Sequence, residues 1–78
     1  MSAIYTSIVR AVQENRLREP FTILDFRNQC GGFAHNTYST FLAKHRVGNP
    51  GGCSEMFVQV SSGKYMLKRP FLQSRLLL

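Results

Sequence analysis

Residues 21–32, "FTILDFRNQCGG", constrain this chain most, because both ends of one short helix are written into them. Thr22 stands where an N-cap hydroxyl accepts a free amide of the first turn. Asp25, three residues on, reaches back to the Thr22 amide, a short form of the capping box. Phe21 before the cap and Phe26 at the fourth helical position match a hydrophobic staple. Cys30 is then followed by Gly31 and Gly32, and glycine leaves a helix through left-handed backbone at little steric cost. The spacing predicts a helix over 22–30, with Phe21 in a brief extended segment before it. Any fold for this chain has a two-turn helix and a sharp reversal at this point.

After the reversal comes "HNTYSTFLAKHRV". Tyr38, Phe41, Leu42 and His45 recur at i, i+3, i+4 and i+7, which predicts a helix over 36–47 with that face inward. Asn36 or a neighbour would cap it. At 100° per residue the opposite face carries Asn36, Thr40, Ala43 and Val47, flanked by Thr37 and Lys44 on one side and Ser39 and Arg46 on the other. Upstream, Ile4, Ile8, Ala11 and Val12 share one face of a helix expected over 2–17, capped by Ser2 and broken at Glu19-Pro20. Downstream, "GNPGG" stops the third helix. "EMFVQV" and "YMLKRPF" are rich in strand formers and flank "SSGK", where Gly63 supplies positive φ. This predicts a hairpin over 55–69, with a short tail over 70–78. The expected fold is α+β, one domain over 1–78: helix, short helix, glycine turn, helix, hairpin.

A chain of 78 residues buries only about 60% of its unfolded surface, so its core is modest. Six phenylalanines and a 44% hydrophobic share still argue for folding. No run approaches the ~20 apolar residues of a membrane span. The N-terminal residues lack the pattern of a signal peptide, and Glu14 and Glu19 argue against a transit peptide, so the expected compartment is the cytoplasm. Cys30 and Cys53 form no C-x-x-C pair and are expected as free thiols. Residues 1–25 carry Arg10, Arg16 and Arg18 against Glu14, Glu19 and Asp25, for no net charge. Residues 26–78 carry Arg27, Lys44, Arg46, Lys64, Lys68, Arg69 and Arg75 against Glu55, so the whole +6 lies there. A polyanionic partner is the natural reading, because each cation placed on a phosphate releases a counterion. A basic surface kept for solubility is the plainer alternative.

Catalysis finds little to work with. The only carboxylates are Glu14, Glu19, Asp25 and Glu55. No two of them are spaced to share a site, and Asp25 is accounted for by the helix start. Cys30, His35, His45 and Cys53 are conceivable zinc ligands, but C-x4-H-x9-H-x7-C matches no common zinc pattern, and His45 lies on the core face. "GNPGG" lacks the following Gly-Lys-Ser/Thr and preceding strand of a phosphate-binding loop. No catalytic residue, metal, cofactor or small-molecule ligand is expected.

Two helices joined by a tight glycine turn, the second showing a polar face, define a helix-turn-helix, and the hairpin after them makes it winged. From about Ile4 to Phe71 the layout resembles the winged helix-turn-helix superfamily. "FTILDFRNQCGGFAHNTYSTFLAKHR" followed by "MFVQVSSGKYMLKRPF" looks like small bacterial winged-helix modules, including those attached to restriction endonucleases, and more distantly the HARE-HTH type. The shared features are the F-T entry to the second helix, the T-Y-x-x-F-L third helix and the G-K-Y-x-L return strand. The resemblance implies that the third helix enters a DNA major groove while the hairpin touches phosphate or the minor groove. By position, Asn36, Thr37, Thr40 and Lys44 become base readers, with Ser39 and Arg46 nearer the backbone and Lys64, Lys68 and Arg69 on the hairpin. Asn pairs with adenine, Thr with a base edge or thymine methyl, and Lys with guanine. Absence of an arginine from the middle of that face departs from the strongest readers and argues against sharp sequence preference.

The competing reading is a winged-helix adaptor that binds protein, since fold does not decide function. Met56, Val58 and Val60 alternate with Phe57 and Gln59, putting apolar residues on both faces of a strand. With Leu72, Leu76, Leu77 and Leu78, the outer face is a candidate homodimer surface, or the tail folds back over the core. RNA binding is a third reading, but the aromatics it would use for stacking read as core.

Overall fold

The computed structural model describes residues 2–49, 51 and 53–71. It shows three helices followed by a two-stranded antiparallel hairpin, an α+β arrangement consistent with a winged-helix layout: α1 (Ala3–Gln13), α2 (Ile23–Gln29), α3 (His35–Lys44), β1 (Phe57–Ser61) and β2 (Lys64–Leu67). Among the described residues no helix is long and apolar enough to cross a membrane. The predicted tail lies outside the described residues from Leu72 onward.

Helix α1 starts as expected, with the Ser2 hydroxyl accepting from the Tyr5 amide at 3.2 Å. It ends four residues short of the predicted Leu17, and the reason is geometric. In an unbroken helix Asn15 would fall near the Ile8 face and Leu17 about 180° from it, which buries the amide and exposes the leucine. Instead Asn15 adopts φ 60°. The Arg16 and Leu17 amides both fold back to the Ala11 carbonyl, at 2.9 and 3.1 Å. Leu17 is thereby delivered into the core at 2% exposure. Asparagine tolerates this left-handed conformation better than other side-chain-bearing residues.

Helix α2 carries the predicted capping box, with Thr22 N–H on Asp25 Oδ2 at 3.0 Å and Asp25 N–H on Thr22 Oγ1 at 3.1 Å. Phe21 and Phe26 are both fully buried. Phe21 also exchanges two 2.8 Å backbone hydrogen bonds with Tyr65. The expected extended segment is thus a single-residue bridge that continues the hairpin sheet. In the turn after α2, the left-handed residue is Gly32, at φ 94°. Tyr38 ties this turn to α3: its hydroxyl donates to the Cys30 carbonyl at 2.6 Å and accepts from the Phe33 amide at 3.1 Å.

Helix α3 corrects the expected 36–47 at both ends. Its N-cap is Ala34 rather than Asn36, without a side-chain cap. It stops at Lys44 because other partners take its last carbonyls. Asn49 Nδ2 donates to the Ala43 carbonyl at 2.7 Å. The His45 carbonyl accepts from Met56 and Phe57, at 2.7 and 3.1 Å, and Val47 N–H turns to the Phe57 carbonyl at 2.7 Å. The exit of α3 is therefore sewn to the start of β1.

The hairpin pairs Phe57 with Leu67, Val58 with Met66 and Gln59 with Tyr65. A bulge at Val60 shifts the register before Ser61 meets Lys64. Gly63 sits in the turn at φ 73°, as expected. Phe57 is the hub of the core. Its ring lies 6.4 Å from Tyr5, 6.3 Å from Phe21 and 5.8 Å from Phe41, joining α1, the entry to α2 and α3 to the hairpin. Phe26 and Tyr38, 5.0 Å apart, join α2 to α3.

Candidate nucleic-acid interface

Burial of Tyr38, Phe41 and Leu42 sets the roll of α3. The same roll exposes Asn36, Ser39, Thr40 and Lys44 and leaves Thr37 half-buried. Asn36, Thr40 and Lys44 are four residues apart, so they form a row roughly 12 Å long on one side of the helix. Ser39 and Thr40 both donate their hydroxyl protons to the Asn36 carbonyl, at 3.0 and 2.7 Å. That changes what they offer outward: an acceptor oxygen and, for Thr40, a methyl group, rather than a donor. Such a surface suits an exocyclic amine or a thymine methyl.

His45, expected in the core, is the half-buried C-cap of α3. Its ring lies 4.6 Å from Phe41, and Nδ1 lies 2.8 Å from the Ser54 carbonyl. It positions the loop leading to β1. Cys30 and Cys53 are free. Burial raises the Cys30 thiol pKa, only partly offset by the Ser7 side chain and the charge of Arg16. Among the described residues, no group of three His, Cys, Asp or Glu side chains comes together as a metal-binding cluster.

The basic residues divide according to the four carboxylates. Glu14 binds Arg16 at 2.8 Å. Asp25 is used in the α2 cap. Glu55 accepts the Gly48 amide at 3.0 Å and lies 3.6 Å from Lys68. The Gly48 hydrogen bond, with the charge and hydrogen bond of Lys68, holds the Glu55 pKa below the usual carboxylate range against the opposing effect of desolvation. Glu19 receives Arg69 through two contacts, at 2.6 and 3.0 Å, and the Leu67 amide at 2.7 Å. Burial pushes the Glu19 carboxyl up, but the Arg69 and Leu67 hydrogen bonds together with the charge of Arg69 outweigh it and bring the pKa below the usual range.

Arg69 also donates to the Leu67 carbonyl at 3.0 Å and sits 5.2 Å from the Phe71 ring centroid. The predicted hairpin cations are thus unequal. Arg69 is committed to holding the hairpin end against the α1–α2 connection. Lys68 sits in a half-exposed pair, a type worth about 0–1 kcal/mol, so it is readily released. Lys64 at the hairpin turn and Lys44 on α3 are exposed and have no carboxylate partner among the described residues. Arg46 is half-buried, and its guanidinium lies over the loop, 3.4 Å from the Val47 carbonyl. Arg10, Arg18 and Arg27 likewise lack a carboxylate partner among the described residues. The N-terminal third, neutral by count, is therefore not neutral in space, because Glu19 is spent on Arg69 and leaves Asp25 alone against Arg10 and Arg18.

Neither the Glu19–Arg69 pair nor the Asn49 cap was anticipated from the sequence. The pair spans 50 residues, and no local pattern reports it. Asn49 carried a signal, an Asn just past a helix end. No family model, curated protein or solved structure matches this chain.

Proposed function

We propose that this chain is a duplex DNA-binding module of the winged helix-turn-helix type, acting in the cytoplasm as a transcription regulator or a restriction-associated reader. Asn36, Thr37, Ser39 and Thr40 of α3 face the major groove, Lys44 and Arg46 lie at its edge, and Lys64 contacts the backbone from the hairpin. Lys68 joins when Glu55 releases it. The reading needs no metal or cofactor. The observation that carries it is the arrangement of cations around one stitched unit. Lys44, Arg46 and Lys64 have no carboxylate partner among the described residues, and they sit on α3, its exit and the hairpin joined to that exit by the His45 and Val47 hydrogen bonds. A polar row of hydrogen-bonding side chains with uncompensated cations at its end matches a groove lined by phosphates.

The test is a pair of substitutions at one exposed position. Thr40→Glu should weaken duplex binding far more than Thr40→Ala, because it brings a carboxylate against phosphate. Equal affinities would remove α3 from the interface.

A protein-binding adaptor is the second reading, and one observation favours it. Leu24 and Ile23 on α2 are 60% and 37% exposed, and Val60 at the hairpin bulge is 46% exposed. A homodimer through the hairpin belongs to this reading, and sedimentation of the full chain separates it from a monomeric DNA reader.

A further inference from the structure

A groove of 440 Å³ runs beside α1, lined by Ala3, Thr6, Ser7, Arg10 and Arg16. None of these residues belongs to α3 or the hairpin. Its two cations are held differently. Arg10 is exposed and has no carboxylate partner among the described residues. Arg16 is fixed in place: Nε and Nη2 meet Glu14 Oε1 at 2.9 and 2.8 Å, and Nη1 donates to the Gln29 carbonyl at 3.0 Å. That leaves Arg16 with hydrogens to spare on an already oriented guanidinium. Thr6 gives its hydroxyl proton to the Ser2 carbonyl at 3.1 Å, which leaves its oxygen as an acceptor. Ser7 lines the same groove one residue on, while its carbonyl accepts from Cys30 Sγ at 3.8 Å.

Glu14 neutralises one of the two guanidiniums, so the lining keeps one net positive charge. The free fork of Arg10 and the spare Nη hydrogens of Arg16 ask for a ligand with several acceptor oxygens arranged in three dimensions. A carboxylate is satisfied by one arginine, whereas a phosphoryl group offers three oxygens and up to two charges. We propose that this groove binds a phosphoryl group, as a second anion site separate from the α3–hairpin strip. The site stands whether or not α3 reads a duplex. Its phosphoryl group comes either from a nucleic-acid backbone or from a small phosphorylated molecule, and the chemistry at the groove is the same.

The test uses amide NMR spectra of the full chain titrated with sodium pyrophosphate, against sodium chloride at matched ionic strength. Pyrophosphate should shift Thr6, Ser7, Arg10 and Arg16 saturably, both in the native chain and in a Lys44→Ala/Lys64→Ala variant. Arg10→Gln, at an exposed position, should keep the dispersed spectrum and raise the pyrophosphate dissociation constant about tenfold. A second titration adds a short duplex to the Lys44→Ala/Lys64→Ala variant. Shifts at Ser7 and Arg10 there identify a nucleic-acid backbone as the source, and shifts with pyrophosphate alone identify a small phosphorylated molecule. The proposal is overturned if pyrophosphate leaves Ser7 and Arg10 unmoved, if matched chloride moves them equally, or if Arg10→Gln binds pyrophosphate as the native chain does. Loss of duplex shifts on α3 would instead count against the DNA reading and leave the groove intact.

Discussion

The Arg69 guanidinium grips the Glu19 carboxylate at 2.6 and 3.0 Å, joining the end of the hairpin to the connection between α1 and α2 across 50 residues of sequence. Glu19 is mostly sheltered, with 16% of its side chain exposed, and it also caps the Leu67 amide. The pair joins the Phe21–Tyr65 bridge and the Phe57 packing in seating the hairpin on the helices.

Glu19→Gln should lower stability by about 1–3 kcal/mol, the usual range for losing hydrogen bonds to a charged group. The pH dependence follows from the lowered Glu19 pKa. A carboxyl whose folded pKa lies below its unfolded value stabilises the fold fully above the unfolded value. That contribution is lost as pH falls through the folded one. Urea unfolding of native chain and variant should thus differ near neutral pH and converge in acid. A difference that persists unchanged in acid contradicts the assignment.

Tyr38→Phe should cost about 1–2 kcal/mol, since it leaves the Cys30 carbonyl and Phe33 amide without their shared hydroxyl. The loss should concentrate in the turn between α2 and α3. Hydrogen exchange of the Phe33 amide should accelerate more than that of Leu42, deep in α3. Equal acceleration of the two would mean that the hydroxyl does not hold the turn.

Asn15, at φ 60°, is the point where α1 turns Leu17 inward. Asn15→Gly should be close to neutral. Asn15→Val should destabilise by about 1–2 kcal/mol or more, because a β-branched side chain resists left-handed backbone. Thermal unfolding of the two variants compares them directly. Equal melting temperatures would show that the turn is not strained at this position.

Local chemistry was well expressed in the sequence. The Thr22–Asp25 box, the burial of Tyr38, Phe41 and Leu42 on α3 and Gly63 in the hairpin turn each depend on residues a few positions apart, and each is present. The ends of α1 and α3 were harder to read, because no glycine or proline follows either helix before Pro20 and Gly48. What stops these helices is competition: backbone turning at Asn15, and the Met56 and Phe57 amides taking the carbonyl of His45. The candidate site was legible as a set of side-chain types on α3. Which cations are available was not, because that depends on where each carboxylate ends up. Glu19 and Glu55 take Arg69 and Lys68 only once the chain has folded. The Arg10 groove was missed because charge counted along residues 1–25 sums to zero.

On the reading proposed above, α3 and the hairpin form a cationic surface for duplex DNA with Lys44, Arg46 and Lys64 as its available charges. The direct measurement is duplex affinity for the full chain across a salt series. At about 0.9 per phosphate contact, three cations predict a slope of log affinity on log salt near −3, falling by roughly one in Lys44→Ala and again in Lys64→Ala. Lys68 would deepen the slope toward −4. Undetectable duplex binding at low salt, or a slope that neither substitution changes, would contradict the account.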